Sequence, residues 1–334
     1  MINVPVLILF FNRPDALSAV FNQVRKAQPS HLFLYQDGPR GERDIPGIEA
    51  CRRIVENVDW PCEVHRLYQE KNYGCDPSEF LSQKWAFSHV DKCIVLEDDS
   101  IPSLSFFTFC KEMLDRYEHD PRISMIAGFN VDEVTKDMPH DYFFTSAFSI
   151  WGWASWRRVV DQWDGEYRFL DDPFTVRQLK GIAKKQRLRG DYMTMCRHHK
   201  QSGKPYFESI FWSAMLMNNG LAVMPSRNLI SNVGATTDST HFSTELATMP
   251  HRLRRIFTMQ RHELDFPLRH PAHVMEYTDY KERLYKVNAW GHPWTKVCYS
   301  LEELWLNLRQ ARFSVILKAL SRRLRKWTGT EKHR

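Results

Sequence analysis

Three consecutive acidic residues, Glu97, Asp98 and Asp99, follow directly on the apolar segment Cys93-Ile94-Val95-Leu96. Burying an unpaired carboxylate is unfavourable by several kcal/mol, so we expect a positive group beside the triplet. A few carboxylate oxygens suit Mg²⁺ or Mn²⁺, whose remaining ligands are then phosphate oxygens and water. The triplet therefore predicts a metal-assisted phosphate site. The alternative is a solvated turn whose acids cap the next helix.

Two other polar side chains follow apolar segments in the same way. Arg13 comes in FNRPDA after the run Val4–Phe11, and a guanidinium there can pair with a phosphate through two nitrogens. A plain strand-to-helix turn, capped by Asn12 or Asp15, is the alternative. Asp37, in YQDGP, is either part of a turn or an acceptor for a ribose or a nucleobase. Both residues fit a site for a nucleotide diphosphate.

Glu208 is a candidate of a different kind, in the segment KPYFESIFW. Phe207, Phe211 and Trp212 flank it, and aromatic neighbours can raise the pKa of a carboxylate towards the range of a general base. The alternative is an ordinary acid at a helix start, stabilised by the helix dipole. We take Glu208 as the candidate catalytic base.

Tryptophans and a polar loop complete the set of candidates. Trp151, Trp153 and Trp156, interleaved with small residues, either stack on sugar rings or belong to the core. The polar stretch 232–241 is too long for a simple turn and is a candidate lid. Its last residue, His241, is either a metal ligand or a structural or solvated histidine.

The elements that position these residues alternate between strand and helix up to about residue 130. Apolar segments typical of buried strands are Val4–Phe11, His31–Tyr35, Glu63–Tyr68, Cys93–Leu96 and Ile123–Ala127. Helical patterns between them are Asp15–Ala27, Gly47–Val58, Asp76–Val90, with Asp76 as its cap, and Ser103–Tyr117. This alternation predicts an α/β fold, with a mostly parallel, Rossmann-like sheet and helices on both faces. Ligands bind beyond the carboxyl ends of such strands, so Arg13, Asp37 and the acidic triplet should converge on one crevice.

Beyond residue 130 the pattern is looser. We expect an aromatic stretch at 142–156, polar helices within 173–199, a helix at Ser209–Asn219, a strand at Leu221–Met224 and a loop at 225–242. The chain is therefore divided into an α/β domain, residues 1–245, and a C-terminal extension, residues 246–334. Within the domain, residues 1–130 form the nucleotide-binding half.

Composition and charge exclude two classes of protein. The formal net charge is +6, yet residues 309–334 alone carry nine Lys and Arg against one Glu, so the rest of the chain is slightly acidic and is not a nucleic-acid surface. The longest apolar run, Val4–Phe11, is far shorter than the roughly 18 residues that cross a bilayer, and the first residues do not resemble a signal peptide. Seven scattered cysteines without a CxxC pair predict free thiols in a reducing compartment.

The segment Leu301–Trp327 is predicted to form a basic amphipathic helix within the extension. Apolar residues recur along it at helical spacing, and Arg and Lys fill much of the rest. Such a helix either contacts an anionic membrane surface or packs on the domain with a solvated basic face. Both interpretations stay open.

Taken in order, these motifs resemble those of a known family. Over about residues 4–242 the chain contains PVLILFFNRP, LYQDGP, NYGC, IVLEDDSIPSLSFF, WGWASWRR, FESIFW, NNGL and NLISNVG, with DSTH at the end. This order is similar to that of GT-A-fold glycosyltransferases of the N-acetylglucosaminyltransferase I type. It is more similar still to that of their bacterial family 2-like, or haemolysin-like, relatives. The resemblance implies a GT-A fold in which residues 131–245 form the acceptor half.

The resemblance also implies a role for each candidate. It implies that Arg13 contacts the diphosphate of the donor and that Asp37 contacts its uracil or ribose. It also implies that Asp98 binds the ribose and Asp99 the Mn²⁺, while Glu97 supports these two residues. Glu208 falls where the family has its catalytic base, usually an Asp after a Trp, whereas here a Glu follows Phe207. The implied reaction transfers a sugar, with inversion, from a nucleotide-diphosphate donor of the UDP type to a hydroxyl of a glycan or lipid-linked acceptor. Mn²⁺ or Mg²⁺ would be the cofactor.

Two other functions stay open. A sugar-phosphate nucleotidyltransferase has a similar fold and metal use, but normally has a Gly-rich phosphate loop near its first strand, and FNRPDA contains no glycine. A membrane-docked carbohydrate-binding module without catalysis would instead use the tryptophans and the basic tail. The family and the tail together favour assembly of a bacterial surface polysaccharide, by a cytoplasmic protein at the inner face of the cell membrane.

Overall fold

The computed structural model describes residues 2–136, 138–188, 190, 192–234, 246–317 and 321. Its strands are β1 (Val6–Phe10), β2 (His31–Gln36), β3 (Glu63–Tyr68), β4 (Lys92–Glu97), β5 (Ser100–Pro102), β6 (Ile123–Ala127), β7 (Tyr142–Thr145), β8 (Trp153–Trp156), β9 (Leu221–Pro225) and β10 (Ile230–Asn232). Its α-helices are α1 (Pro14–Ala27), α2 (Ile45–Val55), α3 (Cys75–His89), α4 (Leu104–Arg116), α5 (Arg157–Val160), α6 (Pro173–Lys185), α7 (Tyr192–Ser202), α8 (Phe207–Met217), α9 (His251–Thr258), α10 (Thr278–Val287) and α11 (Pro293–Arg309).

An eight-stranded sheet, in the order β3-β2-β1-β4-β8-β6-β9-β7, forms the centre of the fold. Strands β3, β2, β1 and β4 are parallel neighbours, and β6 is parallel to β9, whereas β8 and β7 are antiparallel to their neighbours. Helix α1 packs against α2 and α4, while α3 packs against α5 and α8, as expected for helices on two faces of a sheet. The predicted α/β fold with a mostly parallel sheet is confirmed.

The register of the central strands aligns their carboxyl ends. Leu9 of β1 is paired with Glu97 of β4, and Phe10 of β1 with Gln36 of β2. All five residues of β1 are buried, which is why VLILF is continuously apolar rather than alternating. The chain therefore leaves β1, β2 and β4 at the same edge of the sheet, and the polar residues that follow these strands face a common space.

Four short strands are absent from the sequence prediction. Strands β7 and β8 lie in the aromatic stretch 142–156 and are buried along their whole length, so four residues without polar alternation give no strand signal. Strands β5 and β10 have three residues each and pair only with each other, in a separate two-stranded sheet. Their formation depends on a contact between segments about 130 residues apart, which local sequence does not reveal.

The N-cap of helix α3 lies two residues earlier than predicted. Its N-cap is Gly74, with a φ of 91°, so Asp76 lies inside the first turn and the prediction that Asp76 caps the helix is wrong. The loop before the helix ends in the left-handed conformation that favours glycine, and this conformation fixes where the helix starts. As a result Asp76 is directed towards the interior of the site described below.

Part of the predicted C-terminal extension packs on the sheet. Helix α10 contacts β7 and α9 contacts β10. The fully buried Tyr280 accepts a hydrogen bond from the backbone N–H of Val131, and Glu276 accepts one from the backbone N–H of Ser146 at 2.8 Å. The division at residue 245 stays a prediction, but α10 contributes Tyr280, Leu284 and Tyr285 to the core of the α/β domain.

The basic helix predicted over Leu301–Trp327 is interrupted in the structure. Helix α11 ends at Arg309, Ala311 has a φ of 54°, and a further helical turn covers residues 313–317. Residues 318–320 and 322–327 of the prediction lie outside the described residues. The apolar side chains of Leu301 and Trp305 are exposed. Within the part of the chain that the structure describes, no helix combines the length and the hydropathy that crossing a bilayer requires.

Candidate functional site

The positive group beside the acidic triplet is Arg13. Its Nη1 donates to Oδ2 of Asp99 at 2.9 Å, and its Nη2 donates to Oδ1 of Asp98. The backbone N–H of Phe11 donates to the other oxygen of Asp98 at 3.2 Å. Burial raises the pKa of Asp98 to about 6, and the charge of Arg13 opposes that rise. The acidic triplet predicted a divalent cation at this point, and the structure places a guanidinium there, from the turn between β1 and α1.

Asp99 is held by several groups besides Arg13. The Asn232 amide donates to Oδ1 at 3.3 Å and the Ser100 hydroxyl at 3.4 Å, while the backbone N–H of Val233 donates to the Asp99 carbonyl at 2.9 Å. A Cβ at Gly234 would clash with Oδ2, so the chain passes closely over the carboxylate. Asp99 therefore joins the end of β4 to the ribbon formed by β5 and β10.

The described residues do not form a metal cage. They contain no group of three or more His, Cys, Asp or Glu side chains arranged to hold an ion, and both oxygens of Asp99 already accept hydrogen bonds. His241, the second predicted ligand, lies outside the described residues. A single carboxylate still fits a divalent ion whose other ligands are phosphate oxygens and water. The donor set thus matches an ion that arrives with a diphosphate, not one held by the protein alone.

Asp37 is fully engaged with the protein. Its carboxylate accepts four hydrogen bonds of 2.9–3.0 Å, from the backbone N–H groups of Gly38, Tyr73 and Gly74 and from the side chain of Asn72. These bonds fasten the loop between β3 and α3 to the end of β2. The direct contact with a nucleobase or ribose that the resemblance implies would have to share these oxygens. In the structure Asp37 shapes the wall of the site.

A cavity of about 520 Å³ lies at this edge of the sheet. Its lining includes four predicted site residues, namely Arg13, Asp37, Glu97 and Asp98. Tyr35 and Ser78 also line it, and within the described residues neither buried hydroxyl makes a hydrogen bond of 3.5 Å or less. Buried polar atoms normally have partners, so these two hydroxyls are available to a polar ligand. We call this space the first cavity.

A second cavity of about 380 Å³ adjoins the first. Aromatic side chains dominate its lining: Phe129, Phe148, Trp151, Trp212, Phe257 and Trp290. Two of these, Phe257 of α9 and Trp290 after α10, come from the C-terminal extension. Trp153 and Trp156, in contrast, are buried in β8 and belong to the core. Of the predicted sugar-stacking tryptophans, Trp151 lines the second cavity, and the other two line neither of these cavities.

Glu208 lies in the first turn of α8, at the second cavity. Its side chain is exposed, while its neighbours Phe207 and Phe211 are buried and stack against Trp153. The aromatic neighbours therefore do not bury the carboxylate as the sequence suggested. Glu208 is separated from the Arg13 cluster by the wall that the two cavities have in common.

That common wall consists of two carboxylates, Glu79 and Glu97, which line both cavities. Glu79 is 7% exposed, and the thiol of Cys75, one of seven free cysteines, donates to its Oε1 at 3.6 Å. Burial raises the pKa of Glu79 well above its ordinary value, and the negative charges of Glu97 and Asp76 add to the rise. Burial raises the pKa of Glu97 in the same way, together with Asp99 and Asp98.

Sequence reasoning missed Glu79 as a site residue. The run Asp76-Pro77-Ser78-Glu79 has the composition of a helix start, and this sufficed to explain the acid. The available signal was its position: α3 follows β3, so its first turn lies at the same edge of the sheet as the ends of the other strands. The aromatic lining of the second cavity comes from five separate stretches of chain, and no local pattern indicates that they meet.

No family model matches the chain, and no curated protein matches it. Solved structures that resemble it include apo mouse xyloside xylosyltransferase 1, at 12% identity over 66% of this chain and 84% of that one, with a TM-score of 0.37. The inositol-1-phosphate CTP transferase from T. maritima has 8% identity over 77% and 96%, with a TM-score of 0.39. An apo UDP-glucose pyrophosphorylase has 9% identity over 69% and 93%, with a TM-score of 0.37. Likeness at this level does not bear on function.

Proposed function

We propose that this protein is an inverting glycosyltransferase, which moves a sugar from a nucleotide-diphosphate donor to a hydroxyl of a glycan or lipid-linked acceptor. The observation that carries the proposal is the pair of adjoining cavities at the carboxyl edge of the parallel strands. A two-substrate transfer needs two binding spaces that meet at the reacting atoms. Here a polar space and an aromatic space meet at Glu79 and Glu97.

The first cavity suits the nucleotide diphosphate. Arg13 is 30% exposed at its wall and presents a guanidinium, the group that pairs best with phosphate. The unpartnered hydroxyls of Tyr35 and Ser78 provide hydrogen bonds for a base or a ribose. Its volume lies within the range of about 300–1,000 Å³ typical of small-molecule sites.

A divalent ion fits this proposal as a companion of the donor. Asp99 would hold it, and the ion would supply positive charge to the departing diphosphate. Arg13 supplies charge at the same place from the protein itself, because it contacts both Asp98 and Asp99. When a diphosphate enters, the guanidinium of Arg13 can turn from the carboxylates to the phosphate oxygens, since all three are its natural partners.

The second cavity suits the acceptor. Sugar rings present apolar C–H faces that pack on aromatic side chains, and Trp151, Trp212 and Trp290 line this space. Glu208 at its edge takes the proton from the acceptor hydroxyl as that oxygen forms its bond to the anomeric carbon. The bond between this carbon and the diphosphate oxygen breaks with its electron pair on the leaving group. One displacement inverts the anomeric centre.

The substitution Glu208→Gln tests this assignment. We expect transfer to fall by at least about a hundredfold, because general-base catalysis contributes roughly 10²–10⁴-fold. Nucleotide binding should stay intact, since Glu208 is absent from the lining of the first cavity. The measurement is product formation from a panel of nucleotide sugars with bacterial glycan extracts as acceptors, alongside UDP binding by calorimetry.

The matched control is Glu49→Gln, an exposed glutamate on α2 away from both cavities, which should transfer normally. A Glu208→Gln protein with near-normal turnover would rule out Glu208 as the base. The appearance of pyrophosphate and a nucleotide sugar from a nucleoside triphosphate, in place of a free nucleoside diphosphate, would instead identify a nucleotidyltransferase.

A further inference from the structure

The second cavity combines aromatic walls with acidic side chains. Besides six aromatic rings, its described lining contains Asp76, Glu79, Glu97 and Glu208, and it contains no Lys, Arg or His. A negative group inside a partly buried space favours ligands of positive charge, because the low dielectric strengthens the attraction. Aromatic faces also attract cations, and cages of aromatic rings with acids are the common way to bind organic ammonium groups.

Two of the four carboxylates, Glu79 and Glu97, lie at the junction of the two cavities. Within the described part of the chain, the thiol of Cys75 is the one hydrogen-bond donor to the Glu79 side chain, and Glu97 receives none. Arg13 contacts Asp98 and Asp99 instead.

An organic ammonium suits this place better than a metal ion. A hard divalent ion needs about six oxygen ligands, and the described residues here offer two carboxylates and then aromatic rings. An ammonium group needs only a few acceptors, and it tolerates the flat faces of Phe148, Trp151 and Trp212 around it. A sugar that bears a free amino group presents both an ammonium and apolar C–H faces.

We propose that the second cavity binds an amino sugar as the acceptor, with its ammonium group between Glu79 and Glu97. The identification of this ligand as the acceptor rests on the proposed glycosyltransferase function. The preference of the cavity for a positively charged ligand does not rest on it. Glu79 is then a specificity-determining residue, since it is buried at the junction of the two cavities. A neutral or N-acetylated sugar of the same shape leaves the two carboxylates without a counter-charge.

Calorimetry on the full-length protein with UDP present tests this proposal. The probes are methyl β-D-glucosaminide, methyl N-acetyl-β-D-glucosaminide and methyl β-D-glucoside, at a pH where the amine is charged. We expect the glucosaminide to bind at least about tenfold more tightly than both neutral glycosides, because hydrogen bonds to charged groups are the stronger ones. The difference should shrink as salt is added.

The substitution Glu79→Gln should weaken glucosaminide binding about tenfold and leave the neutral glycosides unchanged. Glu49→Gln, on the exposed face of α2, should change none of the three affinities. The proposal is overturned if the neutral glycosides bind as tightly as the glucosaminide to the unmodified protein, or if the glucosaminide does not bind at millimolar concentration. An equal loss for all three probes in Glu79→Gln also overturns it.

These outcomes are separable from the fate of the glycosyltransferase proposal. If UDP fails to bind while the glucosaminide binds as expected, the donor assignment fails and the charge preference of the second cavity stands. If UDP binds and the neutral glycosides are preferred, the donor assignment stands and the proposed charge preference of the second cavity fails. The comparison of three glycosides on the unmodified protein needs no variant, so a folding defect in Glu79→Gln would not spoil the test.

Discussion

The two cavities differ in how the chain builds them. The first is lined largely by residues that directly follow β1, β2 and β4, or begin the helix after β3. The second shares Glu79 and Glu97 with the first but draws its aromatic lining from segments near residues 130, 150, 210, 255 and 290, two of them in the C-terminal extension. Polar residues at the ends of parallel strands are positioned by the sheet itself, whereas aromatic residues in loops and helices are positioned by tertiary packing. The first cavity should therefore respond to single changes in the backbone that follows the strands, and the aromatic wall of the second cavity should tolerate single changes of side chain.

The largest expected effect is that of Arg13→Ala. It removes the cation from Asp98 and Asp99, which are nearly fully buried, and should lower the free energy of unfolding by about 3 kcal/mol. UDP binding should be lost with it. The control is Arg168→Ala, whose guanidinium is 74% exposed in a surface ion pair and should matter by about 0–1 kcal/mol. Equal losses in urea unfolding of the two variants would contradict the role of Arg13.

Gly38→Ala should have the next largest effect. An alanine Cβ at this position would lie 2.5 Å from the backbone of Lys71, so the loop that Asp37 fastens must shift. We expect a loss of about 1–3 kcal/mol in unfolding free energy, with weaker nucleotide binding. At Gly41 nothing lies within 4 Å of the added Cβ and the backbone is extended, so Gly41→Ala should be neutral or slightly stabilising. Similar unfolding curves for both variants would show that the loop is not tightly fixed.

The smallest effect concerns Tyr35, which lines the first cavity and whose buried hydroxyl makes no hydrogen bond of 3.5 Å or less to a described residue. Burial raises the pKa of this hydroxyl to about 12, so it stays protonated and can donate at neutral pH. Tyr35→Phe should leave stability nearly unchanged and weaken nucleotide binding about fivefold, the worth of one neutral hydrogen bond.

Tyr142→Phe provides the opposite case. The hydroxyl of Tyr142 forms hydrogen bonds with the hydroxyl of Tyr117, at 2.7 Å, and with Nδ1 of His270, at 3.0 Å. Tyr142 lines neither cavity. Its removal should lower the free energy of unfolding by about 1 kcal/mol and leave nucleotide affinity unchanged. If Tyr35→Phe has the same effects as Tyr142→Phe on unfolding and on nucleotide binding, the Tyr35 hydroxyl has a structural partner. It is then not available to a ligand in the first cavity.

The same contrast explains what could be predicted from the sequence. Strands β1 to β4 and the site positions of Arg13, Asp37 and Asp98 follow from apolar runs that end in polar residues, and the sheet brings such positions together by its topology. The ion pair between Arg13 and the triplet was not foreseen, since it joins residues about 85 apart in the chain.

The second cavity could not be predicted, for a physical reason. Trp290 follows α10, and its place beside Trp212 depends on how the extension packs against the sheet. The position of Glu79 at the start of α3 could have indicated a site residue. Its burial between two cavities could not have been predicted. Local sequence reports periodicity and capping, and it does not report which distant aromatic residues will share a wall.

The central claim, that the first cavity alone receives the nucleotide, is tested most directly by calorimetric titration of UDP, GDP and CDP with MnCl₂. Three proteins are compared: the unmodified chain, Asp98→Asn in the first cavity and Phe257→Leu in the second. We predict that at least one nucleotide binds the unmodified chain, that Asp98→Asn weakens it by about tenfold or more, and that Phe257→Leu does not. Binding of none of the three nucleotides, or an equal loss in both variants, would contradict the account.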